Sequence, residues 1–244
     1  MRPLLLLAPA LLLASAAAGE EPVQSALGQE RTLPAPGLAP WQALAFPRIE
    51  RQTRYTADDE QGRPVLYAES ECSASGLLLP LEDADLAATP RLRWRWRVDE
   101  SPAPADERSR AGDDFAARVY VSFVFEPEHA TLLERARRRL AATLYGETLP
   151  GTSLTYVWSA HEPVGAHWPN PFTEASRMRV ATSGPAGTWT PVEVDLLEDY
   201  ERAFGRPAPA PLFLALMTDS DNGCSRARAG YADFRLAPRP SAPR

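Results

Sequence analysis

Apolar and polar residues alternate with a period of two along several stretches of the chain. That is the pattern of strands buried on one side. Residues 92–98 show it best, with Leu92, Trp94, Trp96 and Val98 on one face and Arg93, Arg95 and Arg97 on the other. Residues 65–71 place Val65, Tyr67, Glu69 and Glu71 on a common face. Over 115–125, Val119, Val121, Phe123 and Phe125 face one way, while Asp114, Ala116, Arg118, Tyr120 and Ser122 face the other. Shorter runs at 77–79, 154–158, 177–182, 192–196, 212–217 and 231–236 complete the predicted strands. Two segments carry helical spacing instead. Residues 128–145 gather Leu132, Leu133, Ala136, Leu140 and Leu144 on one side, with Arg135 and Arg137 to Arg139 outward. Residues 195–204 form a shorter helix stopped by Gly205 and Pro207. Many short strands, Pro-rich turns and two inserted surface helices predict a mainly-β chain, a single-domain antiparallel β-sandwich over residues 46–238.

The flanks read differently. Met1-Arg2, the apolar run from Leu4 to Leu13 and the small residues Ala14 to Ala18 predict a signal peptide over 1–18. The run is too short for a membrane span, and the chain has no second one. The expectation is therefore an exported protein of the periplasm that keeps no membrane span after cleavage. Residues 19–45, rich in Pro, Ala, Gln and Glu, predict a loosely docked arm, and 239–244 a tail. Cys72 and Cys224 would then meet an oxidising compartment. One disulfide and two buried thiols are both open.

Composition narrows the function classes. The 244 residues carry 26 basic side chains, all Arg, against 32 acidic ones, for a net charge of −6. A negative chain has no bulk attraction for nucleic acid. The Arg run at 137–139 reads as a solvated helix face. Glycine-rich phosphate loops, a Gly-x-Ser-x-Gly elbow and His-Glu-x-x-His are absent from the sequence.

Several stretches, taken in order, carry a family likeness. They are Ser73-Ala74-Ser75-Gly76-Leu77, Leu92 to Asp99, Gly112 to Val121, Tyr156-Val157-Trp158, Pro171-Phe172-Thr173, Asp199-Tyr200 with Ala203-Phe204-Gly205, and Met217 to Asn222. The chain resembles a family of exported bacterial proteins, domain of unknown function three thousand and forty-seven. The resemblance implies a β-sandwich and no established activity. Residues 230–236, Gly-Tyr-Ala-Asp-Phe-Arg-Leu, are also similar to the last strand of jelly-roll carbohydrate-binding modules.

Candidate chemistry gathers on the polar strand faces. If the strands are neighbours, Arg95, Arg97, Asp114, Arg118 and Tyr120 line one surface, flanked by Trp168 and the loop Asp219, Asp221 and Asn222. Guanidinium forks and carboxylates bind sugar hydroxyls, and rings give an apolar platform. The expected task is non-catalytic binding of a glycan or small polar ligand. The competing explanation is that Arg and Asp simply pair across a solvated face. Asp219 and Asp221 alternate in a turn that suits Ca²⁺, although no twelve-residue EF-hand loop is present. Jelly-roll analogy adds Glu50 with Asp233 as a separate Ca²⁺ site. Asp114 with Asp219 or Asp221 could instead serve as the acid pair of a glycoside hydrolase or polysaccharide lyase. A third alternative is a structural role with a periplasmic protein partner, docking through the basic helix.

Overall fold

The computed structural model describes residues 28–46, 48–104, 106–130, 132, 135 and 150–241. Strands dominate them: β1 (Arg31–Thr32), β2 (Gln42–Leu44), β3 (Arg54–Asp59), β4 (Pro64–Glu71), β5 (Ala74–Pro80), β6 (Arg91–Glu100), β7 (Arg118–Phe123), β8 (Ser153–Ser159), β9 (His167–Asn170), β10 (Thr173–Ser183), β11 (Thr190–Asp195), β12 (Pro211–Asp219) and β13 (Arg226–Ala237). Sheet I has six strands in the order β11-β6-β13-β4-β3, with β1 added to β13. Sheet II has seven, β2-β5-β12-β7-β8-β10-β9. Among the described residues only β8 and β10 run parallel; the other pairings are antiparallel. The result is the expected sandwich of two sheets.

The alternation read from the sequence decides what lies between the sheets. Leu92, Trp94, Trp96 and Val98 of β6 are buried against Val119, Val121 and Phe123 of β7, with Leu214, Leu216 and Phe234. Trp94 lies parallel to Phe234 at 6.3 Å and edge-on to Trp96 at 5.3 Å. Rings this large carry much of the apolar burial, at roughly 1.5–3 kcal/mol per large side chain.

One helix, α1 (Leu196–Phe204), follows β11. Asp195 caps it by accepting from the Glu198 amide at 3.1 Å, and Gly205 ends it in the left-handed region at φ 69°. Leu196 and Tyr200 bury its inner face. The longer predicted helix, 128–145, lies almost wholly outside the described residues. Within it, Leu132 and Arg135 are helical, and Pro127–His129 form a 3₁₀ turn. Among the described residues no helix is long and apolar enough to cross a membrane. The predicted signal peptide also lies outside the described residues.

One expectation needs correction here. The described part of the arm is not loose. Its β1 pairs with β13, its β2 pairs with β5, and Leu33 is buried in the core. The arm therefore adds one strand to each sheet. Strand β9 holds Pro169, which is tolerated because β9 is the edge of sheet II. Cys72 and Cys224 are joined in a disulfide with Cα atoms 4.1 Å apart, tying the end of β4 to the loop before β13.

Candidate functional site

The predicted site residues divide into two groups. Arg95 and Arg97 alternate with buried Trp94 and Trp96, so they project from the outer face of sheet I. Arg118 and Tyr120 alternate with buried Val119 and Val121, so they project from the outer face of sheet II. The single charged surface is thus not formed. Each strand turns its apolar side to the shared core, and that sends the two sets of polar side chains in opposite directions.

The sheet II group is a buried hub. Arg118 is 2% exposed. Its Nε donates to Asp219 Oδ1 at 2.8 Å and its Nη2 to Asp219 Oδ2 at 2.5 Å. Nη1 reaches Asp113 Oδ1 at 3.2 Å and the Tyr120 hydroxyl at 3.4 Å, and Nη2 also donates to the Asp113 carbonyl. Every N–H of the fork therefore has an acceptor. Asp114 accepts from the Asn222 amide at 3.0 Å, the Asn222 side chain at 3.1 Å and the Gly223 amide at 2.7 Å, which holds the turn after β12. Trp168 is buried and packs on Phe115, with ring centroids 6.5 Å apart. Burial pushes Asp219 up to about 8, and it also raises Asp113, against the pull of Arg118 on both. Burial and the neighbouring Asp114 raise Asp221.

Carboxylate oxygens of Asp114, Asp219 and Asp221 lie within 4.8 Å of one another. Ca²⁺ takes about six to eight oxygens. Here the guanidinium of Arg118 already stands where a cation would neutralise Asp219, and backbone and side-chain amides occupy Asp114. Asp233 pairs with Arg95 at 2.6 Å, and among the described residues neither it nor Glu50 joins a group of three side chains that could hold a metal. A cavity of about 330 Å³ beside Asp114 is walled by Pro102, Pro104 and Gly223.

The sheet I face is open. Arg93 meets Glu193 across the strand pair, and also Glu30 of the arm at 3.0 Å. Arg97 holds Asp99 at 2.8 Å. Over this row lies Trp189, half-buried, with the Arg95 guanidinium 4.5 Å and that of Arg97 5.5 Å from its ring centroid. Tyr67, also half-buried, stands 5.5 Å from Arg97. Glu60 fixes both rings, accepting from the Trp189 indole N–H at 2.9 Å and from the Tyr67 hydroxyl. Those bonds, with the charge of Arg97, hold Glu60 below the usual carboxylate range. Gly230 makes the arrangement possible: a Cβ there would sit 2.8 Å from Trp189 Cη2 and 3.3 Å from Tyr67 Cε1. Sequence reasoning missed Trp189 and Glu60. The available signal was Gly230, since a glycine inside a strand marks a close approach.

The architecture defines a two-sheet β-sandwich with an ion-paired core on one side and an aromatic, arginine-lined face on the other. The chain belongs to the family described as protein of unknown function (DUF3047), whose sequence model matches residues 39–235. No curated protein matches the chain. Similar solved structures include the family 11 carbohydrate-binding module of the cellulosomal cellulase Lic26A-Cel5E of Clostridium thermocellum. It is 8% identical with a TM-score of 0.48, covering 90% of this chain and 100% of that one. The family 30 carbohydrate-binding module of a cellulosomal cellulase of the same organism is 11% identical with a TM-score of 0.42, covering 88% and 97%. Endoglucanase 3 of Trichoderma harzianum, from glycoside hydrolase family 12, is 11% identical with a TM-score of 0.34, covering 82% and 98%.

Proposed function

We propose that this protein binds a polysaccharide on the outer face of sheet I and performs no chemistry on it there. The observation that carries the reading is the pair of rings, Trp189 and Tyr67, fixed by one carboxylate and flanked by Arg95 and Arg97. A sugar ring presents C–H bonds to an aromatic face and hydroxyls to its rim. Held rings lose little freedom when a ligand arrives, which favours affinity. Glu60, Asp99 and the guanidiniums supply acceptors and donors around them. The hydrolase alternative is less supported. Asp219 is 1% exposed and both its oxygens engage Arg118, so a glycosidic oxygen has no approach to it. Export to the periplasm belongs to the same proposal, and a disulfide fits that compartment.

Affinity electrophoresis through gels containing soluble polysaccharides tests the reading. The wild-type chain is slowed by at least one of them, and Trp189→Ala weakens that binding about tenfold, the scale of losing one well-placed stacking contact. Equal mobility of wild type and variant in every gel would refute it.

A further inference from the structure

Beside the ring platform, on the same face, lies a cavity of about 710 Å³. Its lining includes Arg51, Arg54, Arg226 and Arg228 against Glu69, Glu71 and Glu100. The two sites are continuous. Glu69 stands two residues from Tyr67 on β4, and Arg228 two residues from Gly230 on β13, so about 7 Å separates each pair on one face. The charges within the cavity do not cancel one to one. Arg54 and Arg228 share the single carboxylate of Glu69, and Arg226 holds Glu71 at 2.9 Å. Arg51 has no carboxylate partner among the described residues. Arg54 is 74% exposed and Arg228 56%, so both forks can turn to an incoming anion.

We infer that the polysaccharide is acidic, with a uronate carboxylate seated on Arg51, Arg54 and Arg228 while a neighbouring sugar stacks on Trp189. The inference rests on the platform reading above. A guanidinium fork matches a carboxylate in two parallel hydrogen bonds, which selects it over a hydroxyl. Bulk charge would not produce such binding, because the chain carries a net −6 and repels polyanions as a whole. Retention of one therefore demands a local site.

The test uses the disulfide-bonded protein with polygalacturonate, alginate and hyaluronate, each as the free acid and as the methyl ester, and dextran sulfate as a charge control. The ester keeps the backbone and removes the anion. The expected result is binding about tenfold tighter to at least one acid than to its ester, shrinking as salt rises from about 50 mM to about 500 mM. The double variant Arg51→Ala, Arg228→Ala erases the difference between the two forms. Equal binding of acid and ester overturns the inference while leaving the Trp189-dependent reading intact. Dextran sulfate bound as tightly as the acids, with no effect of Trp189→Ala, means plain ion exchange and overturns both. Failure of the wild type to bind any of the polymers also overturns the inference, and neutral polysaccharides then decide the platform reading alone.

Discussion

Arg97 and Arg118 stand in similar sequence settings. Each sits on a strand whose neighbouring positions are apolar and buried, and each projects from the outer side of its sheet. Their surroundings differ sharply. Arg97 keeps about a quarter of its side-chain surface, whereas Arg118 is 2% exposed and enclosed by Asp113, Asp219, Tyr120 and Phe115. The outer face of sheet I is open and carries paired charges that a ligand could displace. The buried part of sheet II carries a saturated ion cluster that holds β7 to the end of β12. Alternation therefore separates inside from outside, but it does not separate an open surface from a second interior.

The comparison can be broken most directly at the hub. Arg118→Ala, measured at pH 9 where Asp219 is ionised, leaves Asp113 and Asp219 buried without their counter-charge, and the expected loss is about 3–5 kcal/mol by urea denaturation. A loss under about 1 kcal/mol would mean that the hub is no more than another surface pair. The disulfide comes next. Its bridge spans 152 residues, and Cys72→Ser should cost about 2–4 kcal/mol in the oxidised protein, with no further loss on adding reductant.

A smaller drift with pH sharpens the contrast. Asp219 sits at about 8 in the folded chain, against about 3.9 for an unfolded aspartate. The folded state holds this proton more tightly, so the contribution is fully present below about pH 4 and is lost as pH rises through 8. The urea midpoint should fall between pH 6 and pH 9, and a midpoint that climbs over that range would contradict the assignment. The smallest effect belongs to the open face. Arg93 pairs with Glu193 and Glu30 while 38% exposed, and Arg93→Ala should cost under about 1 kcal/mol, less still at high salt.

Much of the sandwich was legible because large apolar residues recur every second position. Strands β6, β7 and β8 carry that signal plainly, whereas a bulge breaks the period of β13. Strand β1 has two residues and β2 three, too few for any period to show, while β3 is an edge strand of mostly exposed polar residues. Asp114, Arg118, Tyr120, Asp219 and Asn222 do lie together, because β7 pairs with β12. The burial of Asp114, Arg118 and Asp219 was not legible, since polar residues on an outer face give no hint of what packs over them. Trp189 escaped notice for a related reason. It precedes β11 and reaches the platform only because β11 pairs with β6 and β6 with β13.

The order of apolar and polar side chains was enough to determine that this chain builds a β-sandwich with Trp94, Trp96 and Phe123 on core faces, because a pleated strand sends successive residues to opposite sides. Which arginines meet water was settled by packing between segments far apart in sequence. Asp219 comes to Arg118 across 101 residues and Trp189 to Glu60 across 129. Whether a charge is paired, enclosed or open depends on those distant partners, and no local pattern encodes them.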